Sequence, residues 1–280
     1  MSIVEEDIRH RRPTKCIQEG DIAVFFIEGR KYIARIIEGN VKVGRITLLG
    51  KGLIGKPYGL QRIAGMEIII VPPLPSDKME GIRRGPQVIL PDDAAFIIFH
   101  AGIVPGSRVI EIGSGSGSLT IALSSLVGEG GQVFSIDRNM ENLKISQRNV
   151  SWAGLESRVQ FIHWDARKPF PKDIDNTIGD REVDAVIFDI PDPWEAVDNI
   201  ATRLKTGGVL FSYLPTINQV ERLRNYMDGI SFSKGYGFVD PHTFEVLKRE
   251  MVVKQGAVRP DYSMLGHTGY LTFFRKVQRC

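Results

Sequence analysis

The sequence predicts an α/β fold in which a mostly parallel sheet, covered by helices, follows a small β-domain. Three observations predict it. Short β-rich runs separated by glycine turns fill residues 20–71. A proline cluster, PPLPSD (72–77), then breaks any sheet ladder. Beyond it, strand-like and helix-like segments alternate, the rhythm of a parallel sheet with both faces covered. The expected domains are 1–75 and 76–280.

In the first domain the strands are IAVFFI (22–27), KYIARII (31–37), KVGRITLLG (42–50) and MEIIIV (66–71). Glu28-Gly29, Glu38-Gly39-Asn40 and Gly50-Lys51-Gly52 supply the turns. In the second, RVIEIG (108–113) precedes a helix over 118–127 that stops at Gly128. QVFSID (132–137) precedes a helix over 139–154, and RVQFIHWD (158–165) leads into a loop. VDAVIFDI (183–190) precedes a short helix near 194–205. GVLFSYLP (208–215) precedes a helix over 216–229 with Thr216 as its cap. FEVLKREMVVKQ and TGYLTFFRKV, with no comparable helix between them, predict a closing antiparallel hairpin.

Composition bounds the function. At 280 residues, 42% hydrophobic and 25% charged, the chain is ordinary globular material. Its longest apolar runs, such as AAFIIFHAGIV (94–104), are too short and interrupted to span a bilayer, and MSIVEEDIRHRR does not read as a secretory leader. Cys16 and Cys280 lie near the chain ends with no CxxC or Cys/His cluster. Structural zinc or another metal is not expected, and a reducing, cytoplasmic compartment is. Residues 1–60 carry a net charge of +4, and the remainder carries −1. A basic module beside a near-neutral body suits a polyanion, although RHRRPTK (9–15) also reads as a solvated basic arm.

The chemistry concentrates after strands. EIGSGSGS (111–118) is a glycine-rich strand-to-helix turn, where backbone approaches a ligand and helix N–H groups face it. Position 118 is serine, so the dinucleotide fingerprint fails at its third glycine, and no lysine makes it a phosphate loop. Four successive strands carry acids at or near their carboxyl ends: Glu111, Asp137, Asp165 and Asp189. Ligands of open α/β sheets bind there. Four acids would repel a pyrophosphate, but they suit a ligand with a ribose diol, an amino group and a positive centre. S-adenosylmethionine (SAM) has all three. The last acid opens FDIPDPW (188–194), in which Pro191 and Pro193 restrict where it can go. Trp194 is expected to anchor that turn in the core.

EIGSGSGS with its second-strand acid resembles the SAM-binding segment of the class I methyltransferases. FDIPDPW, SYLPTINQV (212–220) and GAVRPDYSMLGHTGYL (256–271) resemble, more narrowly, the tRNA (adenine-N1)-methyltransferases that act on the T-loop. The resemblance covers roughly residues 20–277. It implies a Rossmann-like seven-stranded class I methyltransferase sheet with a small N-terminal β-domain, SAM as cofactor, tRNA as partner and a homotetramer. It implies that Gly113, Ser114, Gly115, Ser116, Gly117 and Ser118 wrap the methionine end of SAM, with Glu111 and Leu119 beside them. Asp137 would hold the ribose, and Asp165 and Ala166 would meet the cofactor adenine. Asp189 would border the cofactor and point at the target base, with Tyr213 lining that catalytic pocket. Leu90, Arg259 and His267 would lie on the substrate side. One departure is Leu90-Pro91-Asp92-Asp93-Ala94, where some relatives carry an aromatic or histidine before Pro-Lys-Asp-Ala. Leu90 offers apolar contact in place of stacking.

Adenine N1 is a weak neutral nucleophile whose methylation puts positive charge on the ring. A carboxylate accepting an N6–H bond stabilises that charge. Three other readings compete: a class I protein methyltransferase of the isoaspartyl type, an N6-adenine RNA methyltransferase, and a non-catalytic RNA-binding subunit. Asp192 separates the two prolines, lengthening the turn relative to the Pro-Pro of the N6-adenine enzymes. His100 and His163 are expected as core histidines, Trp152 and Trp164 as packing, and His242 has no assigned role.

Overall fold

The computed structural model describes residues 16–82, 88–230 and 234–278. The basic segment 9–15 and Cys280 lie outside the described residues. The chain divides between Gly81 and Ile82 into two compact units.

The N-terminal unit holds β1 (Ile22–Ile27), β2 (Arg30–Arg35), β3 (Asn40–Val43), β4 (Ile46–Leu49), β5 (Gly59–Ile63), β6 (Met66–Val71) and α1 (Pro75–Glu80). An antiparallel sheet runs β2-β1-β6-β5, and β3 and β4 form a separate hairpin. Alternate residues Ala23, Phe25 and Ile27 of β1 and Ile68 and Ile70 of β6 build its core with Ile17, Ile36 and Leu53. The single strand expected over 42–50 is two, because Gly44 turns the chain at φ 61°. A Cβ there would stand 2.4 Å from the Tyr32 ring, so a side chain does not fit. The segment read as an open proline linker closes into α1: Pro75 opens the helix, and the Asp77 carboxylate accepts the Leu74 N–H at 2.7 Å.

The C-terminal unit begins with α2 (Pro91–His100), followed by β7 (Arg108–Ile112), α3 (Ser118–Val127), β8 (Gln132–Asp137), α4 (Met140–Trp152) and β9 (Val159–His163). Then come α5 (Lys172–Ile178), β10 (Val183–Phe188), α6 (Val197–Ala201), β11 (Leu204–Leu214) and α7 (Ile217–Gly229). β12 (Tyr236–Glu245), β13 (Met251–Lys254), β14 (Ala257–Pro260) and β15 (Tyr270–Gln278) complete it. The seven-stranded sheet runs β12-β15-β11-β10-β7-β8-β9, with only β15 antiparallel to its neighbours. From β7 the chain winds outward through β8 and β9, then returns to β10 on the other side. The order therefore reverses between β7 and β10, which opens a crevice above their carboxyl ends.

Besides α1, two helices of the C-terminal unit differ from the sequence expectation. Pro91 at N1 and Asp92 and Asp93 in the first turn start α2, where the sequence pattern marks only an apolar run. The polar α5 lies where a loop was expected. The closing hairpin also differs. β12 starts upstream, at Tyr236, and pairs with β15, whereas Met251–Lys254 pairs with Ala257–Pro260 outside the main sheet. His163, expected in the core, is exposed because β9 is the sheet's edge. Trp164 and Trp194 are buried in the main core as expected, with Arg222 over the Trp194 ring at 4.4 Å.

Candidate active site

A cavity of about 290 Å³, at the small end of ligand-sized pockets, opens above the carboxyl ends of β7, β8 and β10. The glycine turn builds one wall. Gly113 N–H donates to the Ile136 carbonyl at 2.7 Å, and Asp189 N–H donates to the Ile112 carbonyl at 2.8 Å, so three strand ends are laced together. Gly113 sits at φ 100°, against the Asp189 carbonyl. Gly117, at φ 81°, caps α3, and a Cβ there would meet Ser146 Oγ at 2.6 Å. Gly115 faces open space.

The four strand-end acids have four environments. Asp137 accepts from the Gly115 N–H at 3.2 Å, the Asn139 N–H at 2.8 Å and Asn142 Nδ2 at 3.2 Å. Asp165 is clamped by Arg167, whose Nε and Nη2 donate to its two oxygens at 2.8 and 2.6 Å. Those charged hydrogen bonds hold the Asp165 carboxyl down at about 2. Glu111 faces the core: it is fully buried, and Oε2 accepts from Thr120 Oγ1 and Ser135 Oγ, both at 2.6 Å. Burial pushes its carboxyl up to about 8, which favours the protonated form in the fold. Asp189 has no side-chain hydrogen-bond partner among the described residues. Burial, then the Asp137 charge, pushes it up to about 7. The crowding that four acids imply is thereby eased: burial favours the protonated form of one, another is paired with a guanidinium, and Asp137 and Asp189 face the cavity with no salt-bridge partner among the described residues.

A second cavity, of about 380 Å³, shares Asp189, Ile190 and Pro191 with the first and is closed by Leu90, Tyr213 and Thr268. The Tyr213 hydroxyl donates to the Thr268 carbonyl, and its ring packs over Gly269, where a Cβ would be 2.5 Å from Cζ. Burial and the Asp93 charge push the Tyr213 phenol up to about 12, so it is a neutral wall and not a base. Ser118 Oγ donates to the Ile89 carbonyl at 2.9 Å, joining the start of α3 to the segment that carries Leu90.

Of the residues expected at the cofactor, Gly113, Gly115, Ser116, Asp137, Asp165, Ala166 and Asp189 line the first cavity. Glu111, Ser114, Gly117, Ser118 and Leu119 stand behind it. Ser114 bonds to Ser135 at 2.7 Å, and Leu119 is buried. His267, expected on the substrate side, lines neither cavity; Glu245 Oε1 at 2.6 Å and the Pro215 carbonyl at 3.0 Å pin it, and both contacts raise its pKa. Arg259 lies outside both cavities, on β14, stacked over Tyr262 at 3.8 Å. Sequence reasoning missed Arg167 and Asn142. The first follows Asp165 by two residues and the second follows Asp137 by five, but such spacings are too common to stand out.

The site fits SAM: open glycine backbone, a carboxylate backed by N–H donors, and apolar Ile136, Ile145 and Trp164 for a flat ring. Among the described residues, no cluster of three or more His, Cys, Asp or Glu side chains could hold a metal.

The strand order and the placement of this cavity define a class I methyltransferase fold. The chain belongs to the family of the tRNA methyltransferase complex GCD14 subunit, whose pattern it matches over residues 78–260. It is 34% identical, over 75% of its own length and 79% of the relative's, to the tRNA (adenine(57)-N(1)/adenine(58)-N(1))-methyltransferase TrmI of Methanocaldococcus jannaschii. It is 29% identical, over 89% and 94%, to the tRNA (adenine(58)-N(1))-methyltransferase TrmI of Thermus thermophilus. Among solved structures it resembles a SAM-dependent O-methyltransferase from Thermotoga maritima, with a TM-score of 0.79, 26% identity and coverage of 94% and 96%. The tRNA (m1A58) methyltransferase TrmI of Aquifex aeolicus gives 0.74, 26% identity, and 95% and 100% coverage.

Proposed function

We propose that this chain is a SAM-dependent tRNA methyltransferase that methylates N1 of adenine 58 in the T-loop, with adenine 57 as a second target. The observation that carries the reading is Asp189, which lies in the walls of both cavities and whose carboxylate has no hydrogen-bond partner among the described residues. When bound, SAM supplies a methyl group made electrophilic by its sulfonium.

The chain's own residues do the rest. Asp137 offers a carboxylate to the ribose diol, and Ala166 and Trp164 line the space for the adenine of the cofactor. The target adenine, extruded from the tRNA, enters the second cavity between Leu90 and Tyr213. Asp189 accepts its N6–H bond and stabilises the positive charge that develops on the ring. Pro191 limits the motion of that carboxylate, so alignment of the base is built in before it arrives. The N-terminal unit, whose sequence holds the chain's excess positive charge, supplies phosphate contacts that position tRNA without reading its sequence. The family resemblance supports a homotetramer, testable by light scattering, and the substrate supports a cytoplasmic location. No helix among the described residues is long and apolar enough to cross a membrane.

The test is Asp189→Ala. It should keep cofactor and tRNA affinity but lose about 2–4 kcal/mol of transition-state stabilisation in kcat/KM. Activity equal to wild type would remove Asp189 from the reaction.

A further inference from the structure

Asp192 sits in the turn that follows Asp189, and the proposed reaction does not use it. The turn is braced from two sides. Gln219 Nε2, near the start of α7, donates to the Pro191 carbonyl at 2.9 Å. Opposite, Arg167 Nη1 donates to Asp192 Oδ2 at 3.2 Å. The same guanidinium holds Asp165 through Nε and Nη2. One planar fork therefore spans two carboxylates on two different loops, both of them walls of the first cavity. A lysine in its place could not make both contacts in that geometry. Pro191 and Pro193 remove two of the turn's φ freedoms. With the turn this stiff, a pull on Asp192 is transmitted to Asp189 three residues back.

We propose that Arg167 is a positioning residue: through Asp192 it sets the turn that places Asp189, and through Asp165 it sets the cofactor end of the cavity. The proposal rests on the role of Asp189 given above. A part-buried ion pair that only stabilised the fold would not separate rate from affinity.

Three readouts test it in the full chain: single-turnover methylation of a tRNA transcript at saturating ligands, calorimetric affinity for S-adenosylhomocysteine, and exchange of the non-proline amides within residues 189–194 without ligand. Asp192→Asn should slow methyl transfer about tenfold while the calorimetric affinity stays within about twofold. Arg167→Ala should slow transfer as much and also weaken S-adenosylhomocysteine about fivefold, because Asp165 loses its partner. The double variant should be no slower than Arg167→Ala, since that change already breaks the Arg167–Asp192 contact that Asp192→Asn weakens. Arg167→Lys should keep the charge on Asp165 and behave like Asp192→Asn. Exchange in 189–194 should quicken in all four. Transfer within about twofold of wild type in Asp192→Asn, multiplicative losses in the double variant, or unchanged exchange would each overturn the proposal. A wild-type protein inert on tRNA would instead overturn the reading of the site, and the role of Arg167 with it.

Discussion

A Cβ placed on Gly113 would stand 2.2 Å from the carbonyl oxygen of Asp189. The glycine turn after β7 and the acid after β10 are thus one packed unit, and the cofactor wall cannot move without moving the candidate catalytic carboxylate.

Gly113→Ala should therefore do more harm than loss of a flexible residue. It adds a clash with backbone to the strain of φ 100°, and should cost about 2–3 kcal/mol of stability. Activity should fall further than the loss of folded protein explains, because Asp189 is displaced. Gly115→Ala, strained at φ 50° but facing open space, should cost about 1 kcal/mol. Denaturant melts of the two variants check the contrast, and equal losses would contradict it.

Asp189 should impose a pH dependence on rate and on stability with opposite signs. Its carboxyl is raised to about 7 in the ligand-free fold, from 3.8. The ionised form accepts the amino proton, so kcat/KM should climb with pH through about 7 and then level. Stability runs the other way. The folded state binds this proton more tightly than the unfolded state, so the group's stabilising contribution falls as pH rises from the unfolded value through the folded one. Asp189→Asn should thus raise Tm by about 2–4 °C at pH 8 and by less at pH 5. A larger gain at pH 5 would show that burial does not burden the carboxylate.

Glu111 should tolerate neutralisation. It is raised to about 8 from 4.5 by burial, with Thr120 and Ser135 donating to one oxygen. Burial thus favours its protonated form in the fold. Glu111→Gln should keep cofactor affinity within about threefold, whereas Asp137→Ala should weaken it by more than about tenfold. The reverse ranking, by calorimetry, would make Glu111 the cofactor ligand.

The fold was largely legible because the strands of a parallel sheet are continuous apolar runs with glycine turns, as in VDAVIF and RVIEI. The site was legible where chemistry demands a residue type at a strand end, as at Asp137 and Asp189. What escaped depends on partners far apart in the chain. Nothing local distinguishes Glu111, which turns into a hydroxyl-lined core, from Asp137, which faces the cavity. Nothing local shows that Arg167 reaches Asp192 across 25 positions. α5 escaped because it is only seven residues long and two apolar residues, Ile174 and Ile178, mark its buried face, and β14 because its pairing partner is β13, outside the main sheet.

The most direct measurement is nucleoside analysis of one unmodified tRNA transcript after incubation with the purified protein and radiolabelled SAM. The account predicts label in 1-methyladenine, lost when adenine 58 is replaced, with any remainder lost when adenine 57 is replaced as well. Label in N6-methyladenine, or no label from a protein that still binds SAM, would contradict it.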